Sequence, residues 1–336
     1  MLVLPDGFLG GSAPCLQDLD INSISIRGLP TLLLSAPNLV SLQLGFTPPI
    51  YSHGYISPET MAEGLSVLTR LETLHLYYPP PIPLDKQRRR RPTPPMLAVL
   101  PALTKFEFGG DCAYLEDFLV QIDTPQVDDV RIFYYGEEIQ TSQLSRFIGR
   151  TANLKLAQFR RAEVNFQFDW PRVRLDLPQG GCHQTCLVLL TPEDPIPPAP
   201  CMVHLLGQLI TMLSNVHHLS ISAHVSCGWE QDISENAEWL TLRRLFPAVE
   251  VMEVHGELAG SVASALEDTA EDMVTMLLPK LQVLWSTDEE DNETVGSTER
   301  FLSLRQQSGR SVTIVNTQDE FVERLNASGR SFVLFD

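Results

Sequence analysis

The chain has 336 residues, with 24 Lys and Arg against 42 Asp and Glu, a net charge of −18 and a pI near 4.8. So negative a surface repels phosphates and excludes a general nucleic-acid binder. Hydrophobic residues make up 43% and mean hydropathy is −0.01, which excludes wholesale disorder, while no run approaches the roughly eighteen apolar residues of a membrane span.

The sequence opens Met1-Leu2-Val3-Leu4-Pro5-Asp6-Gly7, without the basic start and apolar stretch of a secretory leader. Its six cysteines are too sparse for a disulfide scaffold. Together these predict reduced thiols in an intracellular protein, in cytoplasm or nucleus.

One comb then recurs along the chain, with apolar residues at its first and fourth positions and usually at its sixth. Ala13-Pro14-Cys15-Leu16-Gln17-Asp18-Leu19-Asp20-Ile21 reads like Ala36-Pro37-Asn38-Leu39-Val40-Ser41-Leu42-Gln43-Leu44. The comb returns as Leu71-Glu72-Thr73-Leu74-His75-Leu76, as Leu103-Thr104-Lys105-Phe106-Glu107-Phe108 and as Val127-Asp128-Asp129-Val130-Arg131-Ile132. A weaker copy spans 154–159. After a poorly patterned middle it resumes as Val216-His217-His218-Leu219-Ser220-Ile221, Val249-Glu250-Val251-Met252-Glu253-Val254 and Leu281-Gln282-Val283-Leu284-Trp285-Ser286. First positions at 16, 39, 71, 103 and 127, then 216, 249 and 281, match leucine-rich repeats of about 20–29 residues with some connections lengthened.

Strand side chains alternate faces, so the fourth and sixth residues point into a core and the fifth points out. One such strand cannot bury its inner face alone; stacked neighbours form a parallel sheet joined by helical crossovers. Between combs, Ser57 is a helix N-cap with Pro58 in the first turn, followed by a stripe of Met61, Leu65 and Leu68. Further stripes are Leu115, Phe118, Leu119 and Ile122; Leu144, Phe147 and Ile148; Val203, Leu206, Ile210 and Leu213; and Met273, Met276 and Leu277. Pro-rich stretches at 79–95 and 191–200 and the acidic knot at 288–293 interrupt the rhythm and predict solvated excursions.

The predicted fold is an α/β leucine-rich-repeat-type solenoid, with a parallel sheet on the concave face and helices on the convex face. It takes 1–336 as one domain: regular repeats over 13–160, a degenerate middle over about 160–202, repeats again over 203–316, and a C-terminal cap over 317–336 after a last strand near 312–315. The N-terminal edge has no comparable cap and is expected to self-associate.

Several strings carry a resemblance. They include Phe8-Leu9-Gly10-Gly11-Ser12-Ala13-Pro14, Gly54-Tyr55-Ile56-Ser57-Pro58-Glu59, Leu68-Thr69-Arg70-Leu71-Glu72, Val99-Leu100-Pro101-Ala102-Leu103-Thr104, Tyr114-Leu115-Glu116-Asp117, Ile122-Asp123-Thr124-Pro125 and Leu278-Pro279-Lys280-Leu281. With the repeats, they resemble the F-box and leucine-rich-repeat proteins of mushroom-forming fungi over nearly the whole chain. The resemblance implies repeats that select a protein partner, and an upstream F-box that docks on a cullin-RING ubiquitin ligase. This sequence opens inside the repeats, and no stretch of it reads as an F-box.

No catalytic signature is present: no G-x-S-x-G, H-E-x-x-H, G-x-x-x-x-G-K-[ST] or G-x-G-x-x-G. Cys182-His183-x-x-Cys186 with Cys201 lacks the paired knuckles of a zinc site. His218 and His224, with Cys227 nearby, stand about 20 Å apart on a strand. No metal or cofactor is therefore expected. The basic run at 86–91, Lys86-Gln87-Arg88-Arg89-Arg90-Arg91, reads as a solvated loop or a nuclear-import address.

The informative residues are those between the core positions of each comb. Asp18, Gln43, His75, Glu107, Arg131, Ser220, Glu253 and Trp285, with neighbours Asp20, Tyr77, Phe133 and His255, should line the concave sheet in a row open to solvent, and the weaker comb would add Gln158. A row mixing acids, one arginine and aromatics fits a protein partner rather than nucleic acid or membrane. The leading expectation is a non-catalytic interaction scaffold. Its rivals are an F-box adaptor, which an upstream F-box would reveal, and a hydrolase using Cys182 and His183, which loss of activity on Cys182→Ala would reveal.

Overall fold

The structure is a computed structural model that describes residues 3–4, 8–22, 25–26, 28–45, 56–78, 97–134, 141–156, 159–166, 172–179, 182–190, 206–207, 209–223, 244–255, 278–286 and 302–315. Each of the eight stronger combs enters its strand through the same backbone turn. The first comb residue donates its N–H to the carbonyl three residues back: Leu16 to Ala13, Leu39 to Ala36, Leu71 to Leu68, Leu103 to Leu100, Val127 to Thr124, Val216 to Leu213, Val249 to Phe246 and Leu281 to Leu278, at 2.9–3.4 Å.

The second comb residue then presents one carbonyl that accepts two N–H groups from the next repeat. Gln17 accepts from Val40 and Ser41, Val40 from Glu72 and Thr73, Glu72 from Thr104 and Lys105, and Thr104 from Asp128 and Asp129. The same joint recurs at Arg160 with His217 and His218, at His217 with Glu250 and Val251, and at Glu250 with Gln282 and Val283.

The chain divides into two compact units, Met1–Ala157 and Gln158–Asp336. In the N-terminal unit, β1 (Asp18–Asn22), β2 (Ser41–Gly45), β3 (Thr73–Tyr78), β4 (Lys105–Gly110) and β5 (Asp129–Tyr134) lie side by side in chain order, all parallel. Their inner residues, among them Leu42, Leu44, Leu74, Leu76, Phe106, Phe108, Val130 and Ile132, are buried, each worth roughly 1.5–3 kcal/mol.

Behind them lie α1 (Leu29–Leu34), α2 (Pro58–Leu65), α3 (Cys112–Leu119), α4 (Ser142–Arg150) and α5 (Ala152–Leu156), each packed on the next. Phe106 meets Phe118 and Phe147, and Phe108 stacks on Tyr114, which ties β4 to α3 and α4. Gly110 has no substitute here: a Cβ would lie 2.3 Å from the Tyr78 carbonyl oxygen.

Several helix ends in this unit are closed by side chains. The Ser57 side chain accepts from the Thr60 N–H at 3.3 Å, with Pro58 in the first turn, as the sequence predicts. Buried Glu116 of α3 reaches α4 and accepts from the N–H groups of Gln143 and Leu144 at 2.7 and 3.0 Å, supplying the cap that Thr141 does not. Arg150 returns from α4 to the carbonyls of Leu119 and Ile122. The stripe predicted through Ile122 is cut short: α3 stops at Leu119, and Ile122–Asp123 pairs with Ala98–Val99 as a short parallel ladder.

In the C-terminal unit, β6 (Arg161–Phe166), β9 (His218–Ala223), β10 (Val251–His255), β11 (Val283–Ser286) and β12 (Thr313–Val315) are parallel neighbours in that order. On the other side of β6 lies an antiparallel hairpin, β7 (Arg172–Gln179) and β8 (Cys182–Leu190). The described residues of the middle expected to be degenerate are thus nearly all strand.

The weaker comb is displaced. Leu154 lies in α5, while Phe159, Ala162 and Val164 are buried and β6 enters through the Arg160 carbonyl, so the comb is 159–164. Ile210 opens α6 (Ile210–Leu213) with 46% exposure, and Leu209 is buried in its place beside Leu206 and Leu213. Arg305 is fully buried and donates to the carbonyls of Leu278 and Leu281 at 3.3 and 3.0 Å, repeating in this unit the backbone clamp of Arg150.

The described residues are therefore mixed α/β, with helices, parallel strands and an antiparallel hairpin. Val203, the stripe at 273–277, both Pro-rich stretches, the basic run, the acidic knot, and the cap at 317–336 lie outside the described residues.

Candidate functional site

Side chains that point away from the helices form a grid in each unit, because parallel strands in fixed register align every second residue. In the N-terminal unit the grid has three rungs. The first holds Asp18, Ser41, Thr73, Lys105 and Asp129; the second Asp20, Gln43, His75, Glu107 and Arg131; the third Asn22, Gly45, Tyr77, Gly109 and Phe133. Asp18, Asp20, Lys105 and Arg131 are exposed, and Gln43, His75, Tyr77, Glu107 and Phe133 are partly exposed. Every expected recognition residue of this half thus lies on one outward face. Asn22, Ser41, Gly45, Thr73, Lys105, Gly109 and Asp129 complete that face and were not among the residues the combs singled out.

Glu107 organises the centre of the grid. Its carboxylate accepts from the Tyr77 hydroxyl and has the His75 Nε2 at 3.8 Å. Between Tyr77 and Phe133 the register places Gly109. With no side chain there, the two rings lean together to a centroid distance of 6.2 Å. Arg131 donates from Nε and Nη2 to Asp129 at 3.2 and 3.3 Å.

The centre of the corresponding grid of the C-terminal unit is buried, while Arg161, Glu163, Arg172, Arg174, Ser222, Val283 and Thr313 at its margins are partly exposed. The grid's rungs are Asp176, Arg161, His218, Val251, Val283 and Thr313; then Arg174, Glu163, Ser220, Glu253, Trp285 and Val315; then Arg172, Asn165, Ser222 and His255. Ser220, Glu253 and Trp285, expected in the open, are 5%, 1% and 7% exposed, and His255 is partly exposed. Trp285 packs with Val251 and Val315 in an apolar cluster on the outward side of the sheet and meets the His255 ring edge-on at 5.3 Å.

Ions are paired on this grid. Glu253 lies 2.6 Å from His218 Nε2, 3.6 Å from His255 Nε2 and 3.4 Å from Arg161 Nη2. Arg172 meets Glu163 at 3.0 Å and Arg174 meets Asp176 at 2.8 Å. Burial works to raise the Glu253 pKa, but His218, then His255 and Arg161, outweigh it and hold the carboxyl well below the usual carboxylate range. The arginines of β7 left a signal in the sequence, the alternation Arg172-Val173-Arg174-Leu175-Asp176, which is the period of a half-buried strand.

The remaining candidates are dispersed. Cys182 and His183 fall at the turn end of the hairpin, opposite Gln179 and Pro178, and the chemistry expected of their side chains lies outside the described residues, as do Gln158, Cys201, His224 and Cys227. Among the described residues no group of three or more His, Cys, Asp or Glu is placed to hold a metal, and no helix is long and apolar enough to cross a membrane. No family model matches the chain, and no curated protein matches it.

Proposed function

We propose that the chain is a stack of leucine-rich-type repeats, sheet concave and helices convex, that works as a non-catalytic scaffold for a protein partner. In this it resembles the substrate-recognition repeats of F-box proteins. The turn at eight combs and the two-donor joint at seven support the repeat reading.

The observation that carries the function is the open grid on β1–β5, where charged, hydrogen-bonding and aromatic side chains stand on one rigid sheet. Tyr and Arg are among the residue types that dominate interface energetics. The wanted experiment is affinity capture from cell lysate with the full chain, beside Tyr77→Ala and Phe133→Ala variants and one in which Arg88, Arg89, Arg90 and Arg91 are replaced. A partner weakened by more than about 1 kcal/mol by the aromatic changes, and kept by the arginine variant, supports the reading. A partner lost with the arginines and indifferent to Tyr77 and Phe133 puts recognition on the basic run instead. Cullin-RING core subunits in the same eluate would make the scaffold an adaptor.

A further inference from the structure

We propose that the open edge of β1 is a pairing edge for a second copy of this chain, and that Asp18 and Asp20 hold the two copies apart. The inference is independent of what the grid recognises.

The edge follows from the joint between repeats. At the seven joints the N–H groups of the second and third comb residues donate to one carbonyl of the repeat before, as Val40 and Ser41 do to Gln17. In the first comb the corresponding donors are Gln17 and Asp18. Among the described residues nothing accepts from them, and β1 is paired on one side only, with β2. The backbone groups of Leu19 and Ile21 turn to β2, so those of Asp18, Asp20 and Asn22 point away from it in the plane of the sheet. All three residues are exposed. Groups so spaced are a template for another extended strand.

An edge of this kind is commonly blocked by proline or a bulge. β1 reads Asp-Leu-Asp-Ile-Asn and keeps an unbroken register with β2, so neither device is used. What guards it is charge.

A second copy brings an identical strand in an identical pleat. Pairing that leaves the helices of both copies behind one continuous sheet is antiparallel about a twofold axis. Residues whose groups face the edge then sit opposite one another on the same face, with Cα atoms about 5.5 Å apart. Full overlap sets Asp20 against Asp20 of the second copy and Asp18 against Asn22. A slip of two residues one way sets Asp18 against Asp20 twice. The opposite slip pairs Asp20 with Asn22 and carries Asp18 past the end of the facing strand. Like charges directly opposite oppose pairing, and four carboxylates collect at the junction of two chains that each carry −18. Asp20 accepts from the Asn22 amide, a bond that fixes the carboxylate and leaves its charge. The self-association expected of this end of the repeats is thus gated by two side chains.

The full chain is compared by sedimentation equilibrium with Asp18→Asn/Asp20→Asn and with Asp18→Asn/Asp20→Pro, each checked for folding by thermal melting. Proline at position 20 removes only an N–H that faces the open edge, and edge strands tolerate it. The parent protein should be monomeric at moderate salt. The double Asn variant should form dimers at least about tenfold more tightly, and the proline variant should be monomeric again. Raising the salt should move the parent toward the double Asn behaviour. In the dimer, amide exchange at positions 20 and 22 should slow, which reads the same edge even if the proline variant does not fold. A parent that dimerises as tightly as the double Asn variant, or a double Asn variant that stays monomeric, would overturn the inference. Dimers that survive the proline, or that leave exchange at those two amides unchanged, would overturn it too, since pairing would then lie elsewhere.

Discussion

Glu107 and Glu253 hold the same position in their combs and have different surroundings. The Glu107 side chain keeps 15% of its exposure, with a tyrosine hydroxyl and a histidine near it. The Glu253 side chain keeps 2% and is held by two histidines and an arginine. The aromatic residues part in the same way: Phe133 is partly open while Trp285 is buried with Val251 and Val315. Pointing away from the helices is a matter of register, whereas being available to a partner depends on what covers the face. The C-terminal grid pairs its charges with one another, at Glu253, Glu163 and Asp176. On the N-terminal grid Asp18, Asp20, Lys105 and Arg131 stay exposed, and Gln43, His75, Tyr77 and Phe133 partly so.

Substitutions that read stability separate the two grids most sharply. Trp285→Ala should cost about 3–5 kcal/mol in chemical denaturation, while Phe133→Ala should cost under about 1.5 kcal/mol in the same assay; equal losses would erase the distinction. Glu253→Gln takes the carboxylate away from buried His218 and partly buried Arg161 and should cost about 3 kcal/mol, against less than about 1 kcal/mol for Glu107→Gln.

The Glu253 deficit should also depend on pH, and its sign follows from the lowered carboxyl pKa. The unfolded chain, titrating near 4.3, takes up the proton first, so the stabilisation is full above that pH and lost as pH falls below it. Unfolding curves recorded from neutral pH down to about 2 should show the gap between Glu253→Gln and the parent protein closing only below about 4.3. A gap independent of pH would mean that the carboxylate charge is not what the network uses. The smallest effect is expected of Asp18→Asn, within about 0.5 kcal/mol on stability; a larger loss would show that the β1 acids are structural.

Most of the strand layout could be read from sequence, because an LxxLxL comb records both the inward period of two and the turn that precedes it. Ser57-Pro58 was legible for a similarly local reason, since cap and first turn adjoin. What escaped was carried by atypical or distant residues. In the comb at 159–164, Ala162 stands where other combs carry Leu, Val, Phe or Met, so the larger Leu154 drew the register five residues early. Glu116 capping α4, and Arg150 and Arg305 holding turn carbonyls, act across 24 to 31 residues of chain, and no local pattern announces them. For the candidate site, membership of the outward rows was legible at Asp18, Gln43, His75, Glu107 and Arg131. The burial of Ser220, Glu253 and Trp285 was not, since alternation assigns a face and says nothing of its cover.

The two-donor carbonyl at the second comb position has a consequence for how such a chain can vary. It is presented by Gln17, Val40, Glu72, Thr104, Arg160, His217 and Glu250, an amide, an aliphatic, two acids, an alcohol, a guanidinium and an imidazole. Chemistry so diverse is tolerated because the connection runs entirely through the main chain. Repeats can therefore be lengthened, as between the combs at 39 and 71, without redesigning the connector. The neighbouring grid positions can change identity freely while the spacing that displays them stays fixed. The one residue the connector refuses is proline at its donors, such as Ser41, Thr73 or Val251, where loss of the N–H would uncouple one repeat from the next.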